Sequence, residues 1–241
     1  MGEKLLSIVD SELSRAGYRK VDAAKTFLRD KLEGDLLALC YFLGYDAVDP
    51  KVHGEIIAAL QAPTKRKILC VPRGTFKSSI GAIVYPIWRL IKNPDLRILI
   101  DSELYSNSIT YLRAIKAHLE SPQMTMLFGE FKNDKIWRED AILIRQRSKT
   151  LKEPSITAGG IGTTKVGQHY DLIIGDDYNS PANTATPERA EKVIAHYRYN
   201  LAILDPGAEY TIIGTRYGEN DLIGWILRDI LGESRLAEGK F

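Results

Sequence analysis

Cysteine is nearly absent from this chain of 241 residues, which contains only Cys40 and Cys70. Two cysteines give no disulfide framework, so the composition fits a reducing compartment. The four histidines show no mutual spacing for a metal site or a catalytic triad, and no cysteine spacing suggests zinc. We therefore expect neither a disulfide scaffold nor a structural zinc centre.

Long apolar runs and a strong charge of one sign are missing as well. No run of about 18 apolar residues occurs, and the N-terminus lacks the apolar core of a signal peptide. These absences predict a soluble, cytosolic protein with no membrane partner. The formal net charge is only +2, so nucleic-acid binding is neither required nor excluded by total charge.

The order of apolar patterns predicts the fold class. Residues 1–62 show helical spacing, for example at Leu5, Val9 and Leu13, and predict a helical region packed on the rest. From Lys67 onwards, short apolar strands alternate with helical patterns. The predicted strands are 68–71, 96–100, 141–144, 171–175 and 209–214, and the predicted helices are 77–91, 105–119, 187–204 and 221–231. This alternation predicts an α/β fold with a mostly parallel central sheet flanked by helices.

One strand is followed by a loop and then at once by a helix, which is the layout of a phosphate-binding loop. Lys77 and Ser78 fit the pattern G-x-x-x-x-G-K-[ST], but Val71 and Phe76 occupy its two glycine positions. The predicted nucleotide-binding residues are Pro72, Arg73, Gly74, Thr75, Phe76, Lys77, Ser78 and Ser79. In this interpretation Lys77 contacts the β- and γ-phosphates, and Ser78 offers its hydroxyl to Mg²⁺. An ordinary strand-loop-helix corner is the alternative.

Two adjacent carboxylates end a second apolar strand, at Asp176 and Asp177. In ATPases with a phosphate-binding loop, a carboxylate at such a strand end holds Mg²⁺, which is the role predicted for Asp176. Asp177 is the candidate general base for the attacking water, although it could instead cap the following turn. We predict ATP as substrate and Mg²⁺ as cofactor.

Two further residues are candidates for contact with the γ-phosphate. Thr215 ends a third apolar strand, where its hydroxyl could sense the γ-phosphate or simply complete strand-end hydrogen bonding. Arg73 lies within the loop and could stabilise transition-state charge in cis, unless it is only a surface arginine. Three strands with chemistry at their carboxyl ends are typical of an open α/β sheet.

These segments resemble the large terminase subunit of tailed bacteriophages. The stretch from Pro72 to Ser78 is similar to that family's variant Walker A motif, and Leu172 to Asp177 is similar to its Walker B motif. Ile213 to Tyr217, followed by Glu219 to Leu222, is similar to its coupling motif. The resemblance covers roughly residues 35–230.

The resemblance implies an ATP-driven motor that packages double-stranded viral DNA into a procapsid. It implies a P-loop ATPase core at residues 63–232, a helical region at 1–62, and at 233–241 the start of a linker to a nuclease domain that this chain lacks. It also implies the host cytoplasm, transient binding to the portal protein, and the small terminase subunit as a partner. The motor works as a homo-oligomeric ring, whereas we expect the isolated chain to be a monomer.

In such rings a basic residue from one subunit completes the neighbour's site. No motif identifies that residue here. The candidates are Arg145, Arg147 and Lys165, which lie in the irregular basic region before the carboxylate strand. Adenine contacts are expected upstream of the loop, near residues 41–53.

Three other functions compete with this interpretation. A helicase-like motor would need a second ATPase-like domain or further motifs, for which 241 residues leave little space. A nucleotide-binding module without turnover would explain the two missing glycines. A small-molecule kinase would need an arginine-rich lid, which is not evident.

Overall fold

The computed structural model describes residues 21–163, 165 and 167–231. The apolar positions between residues 5 and 13 and the expected linker at 233–241 therefore lie outside the described residues. Among the described residues, three helices precede the sheet: α1 (Val21–Gly34), α2 (Leu36–Phe42) and α3 (Pro50–Gln61). The Asp35 carboxylate accepts from two backbone amides at the start of α2, and Asp49 caps α3 ahead of a proline at the first turn. Such caps satisfy amides that have no partner inside the helix.

Seven strands and further helices follow. The strands are β1 (Arg66–Cys70), β2 (Ile98–Ser102), β3 (Lys132–Trp137), β4 (Ala141–Ile144), β5 (Ile156–Ala158), β6 (Tyr170–Asp176) and β7 (Leu204–Gly214). The remaining helices are α4 (Tyr85–Lys92), α5 (Tyr105–Leu119), α6 (Pro122–Phe128), α7 (Pro187–Ala202) and α8 (Leu222–Trp225). Two π-helical segments, Ser79–Val84 and Ile226–Ile230, lead into α4 and continue α8.

The strands form one sheet in the order β1-β7-β6-β2-β5-β4-β3. In this order, the neighbouring strands β1, β7, β6, β2 and β5 are parallel to one another. Strand β4 is antiparallel to both β5 and β3. The chain is thus a mixed α/β protein with a seven-stranded sheet: the predicted parallel core is present, and an antiparallel edge is added to it.

Apolar side chains cover both faces of the sheet. On β6, Leu172 and Ile174 face a larger core shared with the N-terminal helices, while Ile173 faces a smaller core shared with α7. This alternation follows from the two-residue period of a strand. Both faces of the sheet are therefore largely apolar, and the residues of the three sequence motifs lie at the strand ends.

The observed elements agree with the sequence prediction where the local pattern is strong. The strand 141–144 and the helix 105–119 have the expected bounds, but the prediction omitted β3, β5 and α6. Cys70, which lies in the predicted strand 68–71, is exposed at the end of β1. Among the described residues, every helix is too short or too polar to cross a membrane.

Candidate functional site

The carboxyl ends of β1, β7 and β6 lie side by side and bring the three sequence motifs together. Cys70 pairs with Gly214, and Asp176 pairs with Ile213. The loop after β1, the carboxylates at the end of β6 and the Thr215–Arg216 pair after β7 therefore share one edge of the sheet. Ligands of open α/β sheets bind at this edge.

The loop at 72–79 is held at both ends by backbone hydrogen bonds. The Val71 amide donates to the Gly214 carbonyl at 2.9 Å, and the Ile80 amide donates to the Phe76 carbonyl at 2.9 Å. Within the loop, the Thr75 hydroxyl donates to the Pro72 carbonyl at 2.7 Å. The loop is thus closed on itself before the helix begins, which leaves its later amides at a helix N-terminus.

Two loop residues adopt left-handed backbone angles. Gly74 has φ of 81° and Phe76 has φ of 51°. Phe76 occupies the second glycine position of the motif. Its positive φ is uncommon for a residue with a Cβ and is sterically unfavourable. Its side chain is 43% exposed and meets the ring of His53 edge-on, with 5.9 Å between ring centroids. The backbone at the glycine position is therefore glycine-like, although the residue is not.

The ammonium group of Lys77 is the point where the three motifs meet. Lys77 is buried, and its Nζ lies 3.1 Å from Asp177 Oδ1 and 3.0 Å from Thr215 Oγ1. The Thr215 hydroxyl in turn donates to the Val71 carbonyl at 3.2 Å. A single cation thus links β1, β6 and β7 at the candidate site.

Asp176 is fully buried beside the start of the π-helical segment. Its Oδ2 accepts a hydrogen bond from the Tyr111 hydroxyl at 2.7 Å, while its Oδ1 is buried and has no hydrogen-bond partner in the described ranges. Burial raises the pKa of Asp176 to about 6, although hydrogen bonds from Tyr111 and Ser78 favour the charged form. The carboxylate is therefore short of compensation in the protein alone.

Asp177 differs from its neighbour in exposure and backbone. Its side chain is 38% exposed, and its φ is 47°. The Asp177 amide donates to the Ile213 carbonyl at 2.8 Å, which holds the turn after β6 against β7. A left-handed non-glycine residue next to reactive groups is a common feature of functional sites.

Arg73 extends from the loop towards the segment after β7. Its guanidinium donates a hydrogen bond to the Tyr217 hydroxyl and lies over the Tyr217 ring, 5.5 Å from the ring centroid. The Tyr217 amide is held by Asp221 Oδ2 at 2.6 Å. Arg73 is thus at the correct edge of the sheet, packed on the segment predicted to couple the site to movement.

The donor set fits Mg²⁺. This ion is usually held by one or two carboxylates together with waters and substrate phosphates. Ser78 and Asp176 supply a hydroxyl and a carboxylate with one unpartnered buried oxygen. Within the described ranges, no group of three or more His, Cys, Asp or Glu forms a protein-only metal cage, so phosphate oxygens would have to complete the coordination.

The three candidate trans-acting residues lie in different places. Arg145 and Arg147 follow β4, whose antiparallel direction carries them to the opposite edge of the sheet. Arg147 donates to the Glu153 and Leu96 carbonyls at 2.6 and 2.9 Å, and Arg145 pairs with Glu130 and Asp134. Lys165 is half-buried near the edge that carries the motifs, where burial lowers its pKa.

A second buried polar cluster lies on the other face of the sheet. Asp101 Oδ2 accepts from the Tyr178 hydroxyl at 2.8 Å, from His196 Nε2 at 2.6 Å and from Asn200 Nδ2 at 2.6 Å. The Tyr178 hydroxyl also contacts the Tyr210 hydroxyl at 2.9 Å. We call these five residues the Asp101 cluster. Tyr178 directly follows Asp177, so the cluster fixes the turn that carries the candidate base.

Sequence reasoning missed Tyr111 and the Asp101 cluster. Tyr111 lies on a helix with an ordinary amphipathic pattern, and nothing local marks it. Asp101 could have been suspected, because it is a carboxylate at the end of an apolar strand, as Asp176 is. Tyr178 could have been suspected from its position next to the acidic pair.

No protein-family model matches the chain. A terminase large subunit from Enterobacteria phage T3 is 28% identical over 181 residues, which are 73% of this chain and 30% of that protein. The chain is similar to a large terminase subunit. This similarity confirms the resemblance indicated by the motifs.

The chain is also similar to a solved structure, the large terminase of bacteriophage HK97. The match covers 78% of this chain and 37% of the HK97 chain, at 16% identity and a TM-score of 0.49. The present chain thus spans about a third of the length of these terminases.

Proposed function

We propose that this chain is a P-loop ATPase of the large-terminase type, which hydrolyses ATP to drive double-stranded DNA into a procapsid. The observation that carries the proposal is the position of Lys77 Nζ, 3.1 Å from Asp177 and 3.0 Å from Thr215. Lysine, acid and threonine come from three sequence motifs far apart in the chain. Their convergence at one sheet edge is what phosphoryl transfer requires.

The protein groups divide the chemistry between them. Lys77 leaves Asp177 to contact the β- and γ-phosphates, and the loop amides bind phosphate at the helix N-terminus. The freed Asp177 accepts a proton from a water molecule while the oxygen of that water attacks the γ-phosphorus. The bond between the γ-phosphorus and the ADP oxygen breaks, which gives ADP and inorganic phosphate. Ser78 and Asp176 would hold Mg²⁺, which neutralises phosphate charge when bound.

Two residues connect this chemistry to the rest of the molecule. Thr215 bonds both Lys77 and the Val71 carbonyl, so a change at the γ-phosphate reaches β7 directly. Arg73 lies at the same edge and would turn from Tyr217 to the γ-phosphate as a cis-acting arginine. In both roles, a change at the γ-phosphate alters the contacts of the segment that follows β7.

The partners follow from the similarity to a terminase large subunit. They are double-stranded DNA, the portal protein, the small terminase subunit and further copies of this chain in a ring. Arg145, Arg147 and Lys165 are the candidates for the basic residue that completes the neighbour's site. We expect activity in the host cytoplasm, during binding to the procapsid portal.

The test is steady-state ATP hydrolysis by the purified chain with Mg²⁺. We expect slow turnover that is lost on Lys77→Ala and on removal of Mg²⁺ with EDTA. Lys92→Ala is the matched control, because Lys92 stacks on Trp88 at the end of α4, away from the loop. Equal rates in Lys77→Ala and the wild type would reject the assignment of the loop.

A nucleotide-binding module without turnover is the second candidate. It is favoured by Phe76, which stands in a glycine position and adopts φ of 51° there. In that case ADP and ATP would bind, yet no phosphate would be released, even with DNA added. Phosphate release above the Lys77→Ala background excludes this candidate.

A further inference from the structure

Tyr111 is the closest aromatic neighbour of the candidate metal ligands, yet it belongs to none of the motifs. It lies on α5, a helix that is anchored to the core by Leu112, Ile115 and Leu119. Its hydroxyl donates to Asp176 Oδ2 at 2.7 Å and lies next to the Ser78 side chain. One phenol thus touches both residues that would hold Mg²⁺.

The two oxygens of Asp176 are treated differently by the protein. Oδ2 accepts from the tyrosine hydroxyl, whereas Oδ1 is buried with no hydrogen-bond partner among the residues that the structure describes. A carboxylate held at one oxygen by a rigid donor can rotate little, so its second oxygen has a defined direction. Hydrogen bonds of this kind orient ligands in metal sites and are often as important as the ligands.

We infer that Tyr111 is a positioning residue for the metal site, holding Asp176 by Oδ2 so that Oδ1 is free for the hydration shell of a nucleotide-bound divalent cation. The inference rests on the proposed function, because it needs a nucleotide to bring the cation. It adds α5 to the three strands that form the site. Tyr111 touches neither substrate nor the reacting atoms, and it acts only through Asp176.

The alternative is that Tyr111 only satisfies a buried carboxylate and packs α5 on the sheet. The two roles predict different results for Tyr111→Phe, which keeps the ring and removes the hydroxyl. A structural role lowers stability and leaves the metal dependence of nucleotide binding unchanged. A positioning role changes the metal dependence itself.

The experiment measures ADP binding by calorimetry at a series of Mg²⁺ concentrations and in EDTA. For Tyr111→Phe we expect the Mg²⁺ concentration at half-maximal enhancement of ADP affinity to rise about 10-fold, the lower end for lost outer-shell partners. ADP affinity in EDTA should match that of the wild type. Tyr45→Phe is the matched control, since it removes a half-buried hydroxyl that bonds His118 on the same helix at 3.0 Å; its midpoint should not move.

An unchanged Mg²⁺ midpoint in Tyr111→Phe would overturn the inference, as would an equal loss of ADP affinity with and without metal. If the wild type bound no ADP with or without Mg²⁺, the proposed function would be rejected, and the inference that rests on it would be rejected as well. Should Tyr111→Phe not fold, a wild-type crystal structure with Mg²⁺ and ADP decides. Tyr111 must then remain on Asp176 Oδ2, and a ring that has left the carboxylate would refute its role.

Discussion

Asp101 and Asp176 are both fully buried carboxylates, on the neighbouring strands β2 and β6 and at the same edge of the sheet. Asp101 faces α7 and receives three hydrogen bonds on Oδ2 from groups fixed in the fold, while its Oδ1, like that of Asp176, is buried with no hydrogen-bond partner among the described residues. Asp176 faces α5 and, within the described part of the chain, accepts one side-chain hydrogen bond on Oδ2, from Tyr111, with Ser78 close by. Beside Asp101, a Cβ on Gly159 would come within 2.7 Å of Oδ1, so the chain closes over that carboxylate.

The difference shows how one residue type serves structure on one face and chemistry on the other. A carboxylate that accepts from several fixed donors holds those donors in place and rigidifies its surroundings. A carboxylate with too few donors carries an unfavourable free energy that a cation can relieve. Asp176 is in the second state, and its neighbour Asp177 is exposed enough to meet a water.

The largest expected effect is a difference in the rate of ATP hydrolysis between variants at Asp177 and at Asp101. Asp177→Asn should lower kcat about 10²–10⁴-fold, because the amide keeps the size of the side chain but accepts no proton. Asp101→Asn should lower turnover per folded molecule far less, because Asp101 acts only through the turn that carries Asp177. Phosphate release under saturating ATP measures both. A loss of only a few-fold in Asp177→Asn would move the base to another acid.

The second prediction concerns the pH dependence of stability. The pKa of Asp176 is raised from 3.8 to about 6 in the folded protein, so its contribution to stability is lost as pH rises through that range. Asp176→Asn should therefore raise the free energy of unfolding at pH 8, without metal, by about 3 kcal/mol, and change it little at pH 4.

Urea denaturation of both proteins at the two pH values measures this difference. A destabilised Asp176→Asn protein at pH 8 would show that the carboxylate is compensated within the protein. The contrast between the two faces would then be lost, since Asp176 would resemble Asp101.

The third prediction tests how the Asp101 cluster holds the turn after β6. A Cβ on Gly175 would lie 2.1 Å from the Tyr178 ring, so Gly175→Ala must displace that ring. We expect a loss of about 1–3 kcal/mol in the free energy of unfolding, as for other overpacked sites. Gly214→Ala is the control, because its Cβ would have no neighbour closer than 3.7 Å.

Chemical denaturation followed by tryptophan fluorescence compares the two alanine variants. Equal stability of Gly175→Ala and Gly214→Ala would mean that the tyrosine ring moves aside without cost. The turn that carries Asp177 would then not depend on the cluster.

The smallest effect on the free energy of unfolding is expected at the exposed contact between Arg73 and Tyr217. Tyr217→Phe removes the hydroxyl that Arg73 contacts but keeps the ring beneath the guanidinium. Because both partners can bond water instead, the free energy of unfolding should change by less than about 0.5 kcal/mol. A larger loss would show that the Arg73–Tyr217 contact fixes the loop as firmly as the Asp101 cluster fixes its turn.

The elements predicted correctly are those with strong local patterns. The strand 141–144 is four apolar residues in a row, and the helix 105–119 has apolar residues at regular helical spacing. β3 was missed because its sequence, Lys-Asn-Asp-Lys-Ile-Trp, shows no alternation and forms a largely exposed edge of the sheet. β5 was missed because three residues are too few for a period to be seen.

The sequence by itself determined the α/β class, the loop with Lys77 and Ser78, and the acidic pair at a strand end. Each of these is a local pattern, written in consecutive residues and read through the period of a strand or the chemistry of a loop. The tertiary structure alone decided that Tyr111 bonds Asp176 across 65 residues and that Lys77 reaches Thr215 across 138. Such contacts depend on strand order and on which face each side chain takes, because the sheet places strands next to each other that are distant in the chain.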